Sequence, residues 1–206
     1  MEKYFIGIDS GTSGIKAVLF DLKGNELGQK SFPLKGIFPR EDMYEEDMLE
    51  IWDKAVKCVK AVTEAFPDKE VVGIGITAQG DGLWMVDENM EPVRNGCCFC
   101  DGRAAKIVDR WVEDGTCDKL FEITGTRIFT GNQNGIVKWM EEHEPENLDR
   151  SRWLLHLKDY LFYRFTGKIT TDATDQSLIF LDQNKRDYLD ETFKICGIEK
   201  YKDKYP

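Results

Sequence analysis

A chain of 206 residues is long enough to bury a substantial core, in one large domain or two small ones. Its formal charge of −10, from 28 basic and 38 acidic residues, repels polyanions and argues against a nucleic-acid partner. No stretch reaches the roughly 18 apolar residues of a membrane span, and no basic segment leads into an apolar one at the start, so a cytoplasmic setting is expected.

Residues 5 to 8 and 15 to 20 are rich in β-branched and aromatic side chains, which predicts two strands joined by a tight turn. Gly11 and Gly14 bound that turn, and the expectation is that they adopt unusual backbone angles. Asp9 then sits at the turn mouth. Successive amides there can form a nest for an anion, Thr12 and Ser13 add hydroxyl donors, and Asp9 can hold Mg²⁺ directly or through water. These are parts that phosphoryl transfer needs, although Asp-x-Gly-Thr also fits an ordinary tight turn. A polar turn at Lys23-Gly24-Asn25 and a third strand at about 26 to 34 continue the meander.

Met48, Ile51, Trp52, Ala55, Val56, Val59 and Val62 recur at helical spacing within residues 44 to 66. Glu45, Glu46 and Asp47 are expected in the first turn, where the helix dipole favours acids. Pro67 ends the helix, and residues 71 to 76 read as a buried strand that runs into Thr77-Ala-Gln-Gly-Asp-Gly82. Ligands bind at the carboxyl ends of strands in open α/β sheets, which makes Gln79 and Asp81 candidates.

A strand at about 83 to 87, a turn at Asp87-Glu-Asn89 and a further apolar segment lead to Cys100. Cys97-Cys98-Phe99-Cys100 reads as a buried run of reduced thiols, because no second ligand pair accompanies it and only His143 and His156 could help. Asp101-Gly-Arg103 follows, then a helix with the apolar stripe Ala104, Ile107, Val108 and Trp111, ended by Gly115. Asp101 and Arg103 lie beside the Asp81 turn if the two strands are neighbours. Their ordinary roles would be a helix N-cap or a surface ion pair.

The opening hairpin resembles the ribonuclease-H-like fold of the sugar kinase, heat-shock-protein and actin superfamily, an α/β class with a mixed sheet flanked by helices. The ordered set of hairpin, Gln79-Gly-Asp-Gly82 with Leu83-Trp-Met-Val-Asp87, and Asp101-Gly-Arg103 resembles the FGGY family of carbohydrate kinases in particular. Gly135-Ile-Val-Lys-Trp-Met140, Leu157-Lys-Asp-Tyr-Leu-Phe-Tyr-Arg-Phe-Thr-Gly167 and Thr171-Asp-Ala-Thr-Asp-Gln-Ser177 extend the likeness over nearly the whole chain.

The resemblance implies an ATP- and Mg²⁺-dependent transfer of the γ-phosphoryl group to a hydroxyl of a pentulose or polyol. Asp9 would help hold the metal and the transferring phosphate, Gly11, Thr12 and Ser13 would lie at the phosphates, and Lys16 would neutralise charge or simply face solvent. Gln79, Gly80 and Asp81 match the loop that contacts sugar hydroxyls, and Asp101 with Arg103 matches the other side of that pocket. Many xylulose kinases have histidine where this chain has Asp81, so the pattern is more like kinases for erythritol or less common pentuloses such as L-xylulose.

Lys158, Asp159 and Tyr160 are expected to be scaffold, on a helix packed through Trp153, Leu157, Leu161 and Phe165. Asp172 and Asp175, after Ile169-Thr170 in an expected strand, are weak candidates for the base that takes the hydroxyl proton. The family's own base lies in a glycine-rich strand-to-helix turn further along than residue 206. Residues 182 to 187, a short helix at about 188 to 196 and a charged tail from Glu199 to Lys204 complete the chain. The expectation is therefore an amino-terminal, substrate-binding lobe of a longer kinase, without its nucleotide lobe and inactive alone, the full-length protein being compatible with a homodimer. A nucleotide switch of the actin or chaperone kind is the alternative.

Overall fold

A computed structural model describes residues 2–177, 180–182 and 184–206. Three antiparallel strands open the fold: β1 (Glu2–Gly11), β2 (Gly14–Asp21) and β3 (Glu26–Pro33). The two-residue β4 (Glu45–Glu46) precedes α1 (Met48–Glu64), which carries the chain across to β5 (Lys69–Ala78), parallel to β1. The sheet order is β3-β2-β1-β5.

Alternation along β1 and β2 sends Tyr4, Ile6, Ile8, Ile15, Ala17 and Leu19 into one core with Met48, Ile51, Ala55, Cys58 and Val62 of α1. The other face of the hairpin receives Phe5, Asp9 and Lys16, which are exposed.

The helix begins later than its acids suggest. Glu45 and Glu46 pair with β7 (Gly96–Cys97), and Asp47 is the cap, its carboxylate accepting the Leu49 and Glu50 amides. The strand at 71 to 76 is also not buried: β5 is the sheet edge, with Val72 41% and Ile74 42% exposed. An apolar run reads the same in sequence whether a neighbour covers it or not.

β6 (Trp84–Val86) and β8 (Trp153–Leu155) form an antiparallel ribbon between two cores. Trp84, Val86 and Leu155 face the sheet core, whereas Leu83, Met85 and Leu154 join a second core of helices. That second core is built on α2 (Ala105–Glu113), α3 (Thr116–Thr124), α4 (Gln133–His143) and α5 (Pro145–Arg150). α6 (Leu157–Thr166) returns to the sheet core through Leu157, Tyr160 and Leu161.

The carboxyl-terminal stretch holds α7 (Ala173–Ser177), the short hairpin β9 (Leu181–Asp182) and β10 (Asp187–Tyr188), and α8 (Asp190–Cys196). Gln183 of the 182 to 187 segment lies outside the described residues. Residues 199–204 form a 3₁₀ turn rather than a loose charged tail, because Tyr201 and Tyr205 are buried in the helical core. Ile169 and Thr170 are not in a strand; they lead to Asp172, whose carboxylate accepts the Thr174 and Asp175 amides at the start of α7. Cys97 and Cys98 are buried as expected, but Phe99 and Cys100 are exposed.

Candidate active site

Gly11 and Gly14 pair with each other at the end of the β1–β2 ladder, leaving Thr12 and Ser13 as the turn. Neither glycine has a positive φ, contrary to expectation. Gly14 supplies room instead: a Cβ there would lie 2.9 Å from the Phe32 carbonyl oxygen. The turn carbonyls are held by the fold, Thr12 O by the Tyr44 hydroxyl at 3.1 Å and Ser13 O by the Leu34 amide at 3.1 Å.

Asp9 lies directly opposite Lys16 across β1–β2 and opposite Thr77 across β1–β5. Both side chains face solvent, and no ion pair engages either one among the described residues. A lone exposed carboxylate beside a turn of hydroxyls fits one ligand position of a hard cation that keeps waters and phosphate oxygens as its others.

The loop after β5 belongs to the same end of the sheet, because the Gln79 amide donates to Ser10 O at 2.8 Å and so extends the ladder past Asp9. Gly80 is exposed, and a Cβ there would meet nothing. Asp81 and Gly82 then turn sharply, with φ of 52° and 73°. Gly82 has no alternative: a Cβ would lie 2.3 Å from Cys97 O. Asp81 is 8% exposed, and its Oδ1 accepts the Asn132 side-chain amide at 2.7 Å. Burial raises its carboxyl above the ordinary range, and that amide pulls it back down.

Gln79 donates through Nε2 to Glu46 Oε2 at 2.8 Å. Glu46 is 1% exposed, and burial pushes its carboxyl up to about 7 against the pull of Gln79 and the Cys98 thiol. Its neighbour Glu45 faces the other way and meets Arg103 at 2.6 Å and Arg94. Consecutive strand residues point to opposite sides, which is how two buried glutamates enter unlike surroundings.

Asp101 and Arg103 come close to this end of the sheet, but their side chains are sealed, at 0% exposure each. Asp101 Oδ1 accepts the Arg103 amide and Nε, and Oδ2 accepts the Tyr44 amide at 2.7 Å and Arg103 Nη2 at 3.0 Å. Four donors fill the acceptor capacity of a carboxylate, so Asp101 has nothing to offer a sugar hydroxyl. Although burial disfavours its charge, Asp101 and Glu45 hold Arg103 firmly protonated. Arg103 Nη1 is buried without a hydrogen-bond partner among the described residues.

Lys158 bridges Asp159 at 2.6 Å, Asp172 at 2.9 Å and Asp175 at 3.1 Å. Neither weak candidate for a base is free, since each accepts this ammonium. A cavity of about 710 Å³ lies between α2 and α4, with Gly102 and Arg103 in its wall. Its lining pairs Arg40 with Asp42 and Arg110 with Glu142, and also includes Lys106, His143 and Arg103, the last held by Asp101 and Glu45.

The sequence reading missed Asn132 and the contacts of Glu45 and Glu46. An asparagine at the expected start of a helix, and two glutamates just ahead of the Asp47 cap, were the available signals.

A hairpin with a carboxylate at its mouth, a parallel fifth strand and a polar loop at the same sheet end define the ribonuclease-H-like class that includes sugar kinases, heat-shock proteins and actin. Residues 4–204 match the FGGY family of carbohydrate kinases, N-terminal domain, and the chain belongs to that family. It is 37% identical over 169 residues to the L-xylulose/3-keto-L-gulonate kinase of Escherichia coli (strain K12), covering 81% of this chain and 34% of that protein. To the erythritol kinase of Brucella abortus (strain 2308) it is 30% identical over 203 residues, covering 98% of this chain and 39% of that protein. The crystal structure of a ligand-bound xylulose kinase from Lactobacillus acidophilus superposes with a TM-score of 0.92 at 25% identity, over 99% of this chain and 41% of the other. The chain thus spans well under half the length of these relatives.

Proposed function

We propose that this chain is the sugar-binding lobe of an ATP-dependent kinase that phosphorylates a hydroxyl of a pentulose or polyol. The observation that carries the reading is the Gln79 amide on Ser10 O, which sets an exposed carboxylate hairpin and a buried-carboxylate loop side by side at one sheet end. MgATP, when bound, supplies the phosphoryl group and a divalent counter-charge. Asp9 would hold Mg²⁺, and Gly11, Thr12 and Ser13 would hold the phosphates. Lys16, one strand away from Asp9, neutralises negative charge that builds up there.

Gln79, Gly80 and Asp81 orient the sugar. A carboxylate with one oxygen fixed by Asn132 offers the second to a hydroxyl, and a sugar lacking that hydroxyl leaves the buried group unpaired. Asp101 and Arg103 act at one remove, by fixing the loop from Cys98 to Ala104 against Tyr44. The nucleotide lobe and the base for the hydroxyl proton are assigned to sequence beyond residue 206, and the enzyme to the cytoplasm.

The test is ADP release by the full-length protein with L-xylulose, D-xylulose and erythritol in turn. Sugar-dependent release, abolished by chelating Mg²⁺ and absent from residues 1–206 alone, is expected. ATP turnover indifferent to every sugar would favour the nucleotide-switch alternative and overturn the reading.

A further inference from the structure

Asn132 occupies the N-cap position of α4 with extended backbone angles (φ −67°, ψ 142°) but makes no capping bond to its helix. That is an unusual use of a residue favoured at this position because its oxygen satisfies a free helix amide. Its carboxamide is turned outward instead. Oδ1 accepts the Phe129 amide at 2.6 Å, and Nδ2 donates to Asp81 Oδ1 at 2.7 Å. The side chain is fully buried, so neither bond competes with water.

The residues on either side grip the same elbow. Gly131 O accepts the Gly82 amide at 3.0 Å, and Gln133 Nε2 donates to Gly82 O at 3.1 Å and to Leu155 O at 2.8 Å. Gly131 itself is wedged against the next loop, where a Cβ would lie 1.6 Å from Phe99 O. Three consecutive residues therefore hold two, Asp81 and Gly82, that both carry positive φ. For a non-glycine residue such a backbone conformation is retained only where the surroundings impose it.

We propose that Asn132 is a positioning residue for sugar recognition: it gives up helix capping in order to hold the strained Asp81 with one carboxylate oxygen fixed and the other presented to a substrate hydroxyl. This rests on the sugar-kinase reading above. Asn132 also supports the ionised form of Asp81. The other titratable groups that act on that carboxyl are His156, at the start of α6, and Asp175 of α7.

The variant Asn132→Asp separates the two bonds, since it keeps an oxygen for the Phe129 amide and removes the donor to Asp81. In the full-length kinase, with the best sugar of the panel, we expect its sugar KM to rise about tenfold or more, with kcat and the ATP KM changing less than about twofold. In an Asp81→Ala background the same change should alter the sugar KM less than about twofold, because contacting residues are coupled. Equal losses in both backgrounds, or an unchanged sugar KM in Asn132→Asp, would overturn the assignment. Should Asn132→Asp not fold, Asn132→Ser runs the same cycle. A wild-type protein inactive on every sugar would instead defeat the kinase reading, which keeps the two failures apart.

Discussion

Two groups of charges stand close to the carboxyl end of the sheet, and their surroundings are opposite. Asp101, Arg103 and Glu45 are buried and pair with one another, with the half-buried Arg94 joining Glu45 to Glu144, and among the described residues only Arg103 Nη1 of the Asp101–Arg103 pair is left without a partner. Asp9 and Lys16 face each other across two strands in the open, with no ion pair to any described residue. Nearness to a site does not make a charged residue a ligand; spare bonding capacity does. Glu46 falls between the two, buried like the first group and without a cation like the second.

The comparison would break most visibly at Arg103. Arg103→Ala takes two of the four donors from the buried Asp101 and one of the three from the buried Glu45, and should cost about 3–5 kcal/mol in urea unfolding. A loss below about 1 kcal/mol would show that the closed group is not needed for the fold.

Glu46→Gln keeps an oxygen for Gln79 and removes the titration. The carboxyl stands at about 7 in the fold against an ordinary 4.5, so the folded state binds the proton more tightly, and stability falls as pH rises from 4.5 to 7. The variant should therefore be about 3 kcal/mol more stable than the wild type at pH 8 and equal to it at pH 4, by unfolding at both values. Equal stability at pH 8 would mean that Glu46 has a compensating partner.

Asp9→Ala should cut turnover of the full-length kinase about a hundredfold with sugar binding nearly intact, while stability moves by less than about 0.5 kcal/mol. Lost sugar affinity at unchanged turnover would contradict the separation of hairpin from loop. Lys16→Gln should have the smallest effect. An exposed cation is worth under about 1 kcal/mol, so turnover should fall roughly fivefold, read from initial rates.

Much of this arrangement is legible in the sequence, for identifiable reasons. The hairpin and α1 are fixed by local periodicity, and Gln79 to Gly82 and Asp101 to Arg103 stand where strands end. What periodicity does not contain is the partner. Glu45 and Glu46 suit a helix N-terminus electrostatically, but pairing with Gly96 and Cys97 prevailed, and only the Asp47 cap marks the true boundary. Asp101 and Arg103 have residue types suited to sugar hydroxyls, yet a contact with Tyr44, 57 residues away in sequence, helps to use them up. Asn132 looks like a routine cap until the Asp81 loop arrives 51 positions from it.

The ribbon of β6 and β8 has a consequence for what the chain can tolerate. Trp84 and Met85 are neighbours in sequence but tenants of different cores, as are Leu154 and Leu155. Removing a single residue within this ribbon would therefore turn the remaining side chains of that strand to the wrong core, whereas Glu88 and Asn89, exposed in the turn that follows β6, have no such inside and outside to exchange.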